Sequence, residues 1–317
     1  MKVLANDGIS KSGIKALEAG GFEVITTKVA QEQVANYINE NKIEVILVRS
    51  ATKVRRDIID NCPILKIIGR GGVGMDNIDV DYARSKGINV INTPASSSES
   101  VAELVFAHLF SGVRFVHDSN RNMPLEGDSK FENLKKAYAN GIELRGKTIG
   151  IIGFGRIGQA VAKMAFGLGM NVIATDKFIE NAIIKVDFFN GQSINLEVST
   201  QPIEEVLKNA DFITLHVPAQ EGYLIGTNEF SLMKQNVGIV NCSRGGIIDE
   251  IALIDALDSE KVLFAGLDVF ENEPTPEIRI LMHPKISLTP HIGAATLEAQ
   301  DRIGTELAEQ VITLMKK

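Results

Sequence analysis

One local pattern narrows what this chain can fold into. The apolar run Thr148-Ile149-Gly150-Ile151-Ile152 enters Gly153-Phe154-Gly155-Arg156-Ile157-Gly158, and Gln159-Ala160-Val161-Ala162-Lys163-Met164-Ala165 follows with helical spacing. A strand that turns sharply into a helix needs each glycine for a separate reason. Gly153 permits the turn, Gly155 lets a ligand approach the backbone, and Gly158 lets the helix sit close on its strand. The first amides of such a helix have no intrahelical acceptor and face an anion.

About twenty residues further on, where this kind of turn places its ribose-binding acid, the run Asn171-Val172-Ile173-Ala174-Thr175 ends at Asp176. A carboxylate there accepts hydrogen bonds from a ribose diol and repels a 2'-phosphate. The loop, with Gly153, Gly155, Arg156, Ile157, Gly158 and Asp176, therefore predicts NAD rather than NADP. The neighbouring Lys177 is the feature that argues the other way.

The 317 residues exceed one typical core and suit two domains. With 44% apolar and 23% charged residues and no apolar run long enough for a bilayer, the composition is that of a globular enzyme with no membrane partner. A net charge of -7 argues against nucleic acid, and it requires any anionic substrate to meet a local basic pocket. Cys62 and Cys242 lie far apart without metal-ligand spacing, so no metal is expected and a reducing, cytoplasmic setting is. The first residues turn polar too soon for a secretory signal.

Short apolar runs at 3–5, 22–26, 44–48, 65–68 and 89–91 alternate with helix-like stretches at 13–19, 31–39, 55–61 and 80–86. That rhythm predicts a parallel sheet with crossover helices. An apolar helix from Ser98 to about Val116 follows, with Ser96 and Ser100 as candidate N-caps, and then a polar segment, Asp118 to Gly141, that reads as an exposed arm. Further strands are expected at 211–215, 238–241, 262–267 and 286–288, a β-hairpin around Asn190-Gly191, and a final helix over 294–315. The fold class predicted is α/β, with two doubly wound, Rossmann-like parallel-sheet domains and a cleft between them. Residues 1–94 plus 291–317 form the substrate domain and 95–290 the NAD domain.

Moving a hydride to or from a carbonyl carbon also needs a group for the proton on oxygen and a group for the substrate anion. Three side chains in loops after strands suit these tasks. Arg244, in Asn241-Cys242-Ser243-Arg244-Gly245-Gly246, can grip carboxylate and carbonyl oxygens through its fork, or be a surface arginine in a glycine turn. His291, in Pro290-His291-Ile292-Gly293-Ala294, can carry a proton near neutral pH. Glu273, in Asp268-Val269-Phe270-Glu271-Asn272-Glu273-Pro274, can hold the far ring nitrogen, or be one more acid in a solvated run. His108 reads as packed in its helix, and His117 and His283 as exposed. His216, with Val217 and Pro218 at a strand end, reads as lining the cofactor pocket.

These motifs, in this order and nearly from end to end, resemble the D-2-hydroxyacid dehydrogenases. Within that family Val48-Arg49-Ser50-Ala51-Thr52-Lys53-Val54 and Gly69-Arg70-Gly71-Gly72-Val73-Gly74-Met75-Asp76-Asn77 look like the phosphoglycerate-oxidising branch. The resemblance implies His291 as acid/base, Glu273 as its partner and Arg244 as substrate clamp. It further implies amides of Gly71, Gly72 and Val73 on the substrate carboxylate, and Arg49 and Arg70 at its phosphate end, structural salt-bridging being the other use for these arginines. Asp268, the backbone of Cys242, Ser243 and Arg244, and Gly293 and Ala294 are implied on the cofactor side. A homodimer through the 98–116 helix and the arm is implied as well.

Three features depart from the pattern: the arm lacks a tryptophan, the Asn190-Gly191 hairpin is an extra, and the chain stops at Lys317. The last leaves no room for a C-terminal effector domain, so inhibition by serine through one is not expected. The activity expected is NAD-dependent oxidation of D-3-phosphoglycerate to 3-phosphohydroxypyruvate. The alternatives are a glyoxylate/hydroxypyruvate or D-lactate type reductase and, from another class, an NADH-sensing protein similar to corepressors; formate oxidation fits less well, because it needs no partner such as Glu273.

Overall fold

The computed structural model describes residues 1–316; Lys317, where the substrate domain is expected to end, lies outside them. The chain divides into two compact units, Met1–Ser100 with the chain from Ala294 on, and Val101–Gly293.

In the first unit β1 (Lys2–Ala5), α1 (Lys11–Ala19), β2 (Glu23–Ile25), α2 (Val34–Asn41), β3 (Val45–Val48), α3 (Arg56–Asn61), β4 (Ile67–Arg70), α4 (Val80–Ser85) and β5 (Asn89–Asn92) alternate. The strands pair in parallel in the order β2-β1-β3-β4-β5. Successive side chains of a strand point to opposite faces, so a sheet covered on both faces needs continuous apolar runs. In β3 all four residues are buried: Ile46 and Val48 pack with Val34, Ile38 and Ile58, while Val45 and Leu47 pack with Ile303, Leu307 and Val311 of the C-terminal helix, Leu297–Met315.

The second unit holds α5 (Ser98–Val113), whose first residues precede it, then α6 (Val116–Glu126), α7 (Phe131–Ala137), β6 (Thr148–Ile152), α8 (Arg156–Gly167), β7 (Asn171–Thr175), β8 (Asn181–Asp187) and β9 (Ser193–Ser199). It continues through α9 (Ile203–Asn209), β10 (Phe212–Leu215), α10 (Thr227–Leu232), β11 (Val237–Asn241), α11 (Glu250–Asp258), β12 (Val262–Leu267), α12 (Ile278–Met282) and β13 (Ile286–Leu288). Six strands form a parallel sheet in the order β13-β12-β11-β10-β6-β7. The antiparallel pair β8-β9 turns through Asn190-Gly191, with Gly191 at φ 83°.

Two expectations are corrected. The helix predicted to reach Val116 stops at Val113, because Phe115 adopts a left-handed conformation (φ 55°) and starts a new axis. The segment expected as an exposed arm is exposed, with no residue of it buried, and is mostly helical: Tyr138 donates to Asp118 (2.8 Å) and accepts from Asn122 (2.8 Å), and its ring lies 5.8 Å from that of Phe115. The second correction is that Ser96 and Ser100 are not helix caps. Ser96 donates to Glu306, and Ser100 lies inside α5 with its hydroxyl 2.7 Å from that of Thr296.

A true cap starts α11, where the Asp249 carboxylate accepts the N–H groups of Ile251 (3.0 Å) and Ala252 (3.1 Å). Asp249→Ala leaves two amides without a partner and should cost about 1 kcal/mol, read as a lower melting temperature on thermal denaturation.

Candidate active site

In a parallel sheet every strand delivers its chain at the same edge, where open α/β sheets bind ligands. The glycine loop follows β6. A Cβ on Gly158 would lie 2.2 Å from the carbonyl oxygen of Gly153, and a Cβ on Gly153 (φ 94°) would lie 2.5 Å from that of His216. No side chain larger than hydrogen fits at either place. At Gly155, the N-cap of α8, an added Cβ would meet nothing within 4 Å, so this side of the loop is open.

The first hydrogen bond of α8 runs from Gln159 N–H to the Gly155 carbonyl (2.9 Å), which leaves the amides of Arg156, Ile157 and Gly158 as donors for an anion. Asp176, after β7, accepts N–H groups from Phe154 (2.7 Å), Phe178 (2.8 Å) and Ile179 (3.1 Å). A carboxylate has roughly four acceptor positions, so one remains for a ribose hydroxyl. Open glycine backbone, helix-end amides and a fixed acid together fit a dinucleotide.

After β10, His216 sets Nε2 3.0 Å from the Thr214 hydroxyl, while its buried Nδ1 has no partner. Burial pushes the ring down to about 3, so it is neutral and no proton carrier. Val217 is half-buried and Pro218 exposed beside it. After β11, the side chain of buried Asn241 holds the loop: its Oδ1 accepts from the Ser243 N–H and hydroxyl (3.0 and 2.7 Å), and its Nδ2 donates to the Arg244 carbonyl (2.8 Å). Arg244 Nη1 donates to the Ser243 carbonyl (2.6 Å). Cys242 is buried, and that burial, then the charge of Asp268, raises its thiol well above the usual value and keeps it protonated.

Between β12 and α12, a Cβ on Gly245 would lie 1.8 Å from the Phe270 carbonyl oxygen, so the arginine and glutamate loops touch backbone to backbone. Glu250 and Glu271 lock them, each carboxylate accepting the other's N–H (2.9 and 3.0 Å). Glu273 accepts the Phe270 N–H through Oε1 (3.0 Å) and faces His291 Nδ1 through Oε2 (2.8 Å). His291 therefore carries a proton on Nδ1 and presents Nε2, on a side chain 43% exposed. Burial alone would raise the Glu273 carboxyl. Hydrogen bonds from His291 and Phe270, with the charges of His291 and Arg244, outweigh that and hold it below its ordinary value. Asp268, buried, accepts from Thr289 (2.6 Å), Ile292 (2.8 Å) and Gly293 (2.8 Å) and so fixes the loop that carries His291.

In the first unit Arg49 follows β3. Asp7 accepts the N–H groups of Arg49 (2.7 Å) and Thr52 (3.0 Å), and Asn77 donates to both their carbonyls (2.8 and 2.6 Å), which pins the loop. The Arg49 guanidinium is half-buried, and burial lowers its pKa against the opposing pull of Asp7. Arg70 Nη1 lies 3.5 Å from the Gly71 carbonyl and fills the space a Cβ on Gly72 would need. The amides of Gly71 and Gly72 are already spent on the carbonyls of Val48 (2.8 Å) and Arg70 (3.0 Å). Of the three amides expected on a substrate carboxylate, only that of Val73 keeps its donor. Ala294, also in this unit, accepts from Gln300 (2.7 Å).

The sequence reading also misplaced two histidines. His117 is half-buried and 2.9 Å from the Pro284 carbonyl, and the His283 side chain is 10% exposed and 3.4 Å from Asp258. Asn241, Glu250 and Glu271 were passed over, although an asparagine closing a strand before a glycine turn was a usable sign. Among the described residues no group of three His, Cys, Asp or Glu could hold a metal, and no helix is long and apolar enough to cross a membrane.

Residues 106–293 match the D-isomer specific 2-hydroxyacid dehydrogenase family over its NAD binding domain. The chain is similar to a D-3-phosphoglycerate dehydrogenase of Methanocaldococcus jannaschii, 42% identical over all of this chain and 58% of that protein. It therefore spans little more than half the length of that relative. A hydroxypyruvate reductase of Thermotoga maritima is 42% identical over 98% of the chain and 97% of its own length. The fold matches the NAD-dependent formate dehydrogenase of Staphylococcus aureus in complex with NAD, with a TM-score of 0.78 and 26% identity over 99% of this chain and 96% of that one.

Because the folded-state pKa of Glu273 is depressed, its contribution to stability is present above the unfolded carboxyl value and lost as pH falls through the folded one. The difference in melting temperature between the protein and Glu273→Gln should be largest near neutrality and shrink as the solution is taken to about pH 3, below the ordinary range of a glutamate. A difference independent of pH would contradict the pairing.

Proposed function

The chain belongs to the D-isomer specific 2-hydroxyacid dehydrogenase family, and we propose that within it the protein oxidises D-3-phosphoglycerate to 3-phosphohydroxypyruvate with NAD. The observation that carries this is the 2.8 Å His291–Glu273 pair, held in the same unit as the open glycine loop and Arg244. The loop Gly153 to Gly158 and Asp176 would hold NAD, whose nicotinamide would supply a hydride acceptor for the hydroxyl-bearing carbon.

The chain's own residues do the rest. His291 Nε2 takes the hydroxyl proton, and Glu273 balances the charge that appears on the ring. Arg244 grips carboxylate and developing carbonyl oxygen. Arg49 and Arg70 supply positive charge for the phosphate, which gives an anion a reason to bind a chain of net charge -7. Reduction returns the proton from His291, so higher pH favours oxidation.

The similarity to a hydroxypyruvate reductase over 97% of that protein's length supports a second reading, in which the same residues reduce an unphosphorylated 2-oxo acid. We also infer a homodimer. Phe110, Val116, Met123, Leu125 and Phe131 of α5, α6 and α7 are exposed apolar residues that a second copy would cover, and light scattering on the purified protein measures it.

His291→Ala should lower kcat by about 100- to 10,000-fold while NAD affinity is retained. Near-normal turnover would remove the assignment. Arg49→Gln should raise KM for phosphoglycerate about tenfold or more, as loss of a charge-assisted contact does, and change that for D-glycerate much less. Equal losses on both substrates would favour the second reading.

A further inference from the structure

His108 is a buried titratable side chain that the chemistry above leaves unused. It lies 2% exposed in α5, and the sheet makes room for it: a Cβ on Gly266 of β12 would come within 2.5 Å of the His108 Cβ. Both ring nitrogens are engaged, Nδ1 3.0 Å from the Ser287 hydroxyl and Nε2 3.0 Å from that of Thr289. The Thr289 hydroxyl lies 2.6 Å from Asp268 Oδ1, and Asp268 also accepts the N–H groups of Ile292 and Gly293, both at 2.8 Å.

The direction of these bonds follows from counting protons. A threonine hydroxyl has one, and the Asp268 carboxylate can only accept, so Thr289 donates to Asp268. Its oxygen is then an acceptor for His108 Nε2–H, and Nδ1, left without a proton, accepts from Ser287, which donates to it at 3.0 Å in preference to Ser111, whose hydroxyl lies 3.4 Å from that of Ser287. The chain runs Ser287 to His108 to Thr289 to Asp268. Burial lowers the ring's pKa to about 4, so it is neutral with one N–H to give.

The far end of this chain is His291, between Thr289 and the two clamped amides. Its φ is 55°, a left-handed conformation that a residue with a Cβ keeps only where its surroundings over-determine it. The His291 N–H goes back to the Thr289 carbonyl (3.1 Å), and the next two amides go to Asp268. Without a fixed Asp268 the backbone would relax and carry Nε2 away.

We propose that His108 and Thr289 are positioning residues for His291, directing one hydroxyl proton at Asp268 so that its carboxylate holds the left-handed turn from which the imidazole meets Glu273. The proposal rests on the reading of His291 as proton acceptor. A histidine that is merely packed would be replaced by leucine without consequence for turnover.

Thr289→Ser, Thr289→Val, His108→Leu and the double variant His108→Leu/Thr289→Val separate the two. Their steady-state kinetics are measured with NAD on the 2-hydroxy acid that the parent protein oxidises best, and amide hydrogen exchange is followed over residues 289–294. Thr289→Val should lower kcat about 10- to 100-fold, the range for residues that orient a reacting group, with KM for NAD little changed. Thr289→Ser, which keeps the hydroxyl, should restore most of it. His108→Leu should lower kcat less than Thr289→Val, and the double variant should lose no more than Thr289→Val, because both act through one path.

Exchange at Ile292 and Gly293 should speed up in Thr289→Val and His108→Leu. Equal losses in the serine and valine variants, or unchanged exchange at those amides, would overturn the proposal. If the parent protein oxidises no 2-hydroxy acid, the functional reading falls on its own, and the exchange rates still decide whether this chain holds the turn. Should Thr289→Val not fold, His108→Leu against the parent carries the same comparison.

Discussion

Parallel pairing is the constraint on which the second unit depends. Because β6, β7, β10, β11, β12 and β13 all run the same way, their following loops emerge at one edge, which brings Gly153, Asp176, His216, Arg244, Asp268 and His291 to it from a span of about 140 residues of sequence. The loops are then locked to one another by backbone contact. Gly158 meets Gly153, Gly153 meets His216, and Gly245 meets Phe270, each at a distance that leaves no room for a Cβ. Reciprocal carboxylate-to-amide bonds between Glu250 and Glu271 complete the lock. Such contacts leave the spacing of Arg244 and Glu273 little freedom.

Burial then sorts the titratable groups of that edge. His108 and Cys242 are buried, His216 is half-buried with its Nδ1 shut off from solvent, and desolvation holds all three neutral. His291 differs from these in being both exposed and bonded to a carboxylate, so it is the imidazole within reach of solvent or a bound molecule. The same chemical group is thus a fixed hydrogen-bonding strut at one position and an exposed ring paired with a carboxylate at another.

Much of this was legible in the residues, for physical reasons that differ from place to place. Runs such as Val45–Val48 announce strands covered on both faces, and Asn190-Gly191 between alternating runs announces a hairpin. The glycine loop with Asp176 could be read because a close turn, a helix end and an acid leave sequence marks at fixed spacing. The helices α6 and α7 could not: neither buries an apolar residue, so no stripe marks them. The placing of His283 against Asp258 and of His108 against Thr289, and the spending of the Gly71 and Gly72 amides on Val48 and Arg70, depend on pairings between elements that no local pattern encodes.

On the proposed function this chain moves the hydrogen on the hydroxyl-bearing carbon of phosphoglycerate directly to NAD while a side chain handles the proton on oxygen. D-3-phosphoglycerate deuterated at that carbon tests it most directly, with the protein and NAD and mass analysis of the recovered cofactor. The label should appear on the reduced nicotinamide, one deuterium for each molecule of product. Deuterium released to solvent, or a cofactor that stays oxidised with this substrate, would contradict it.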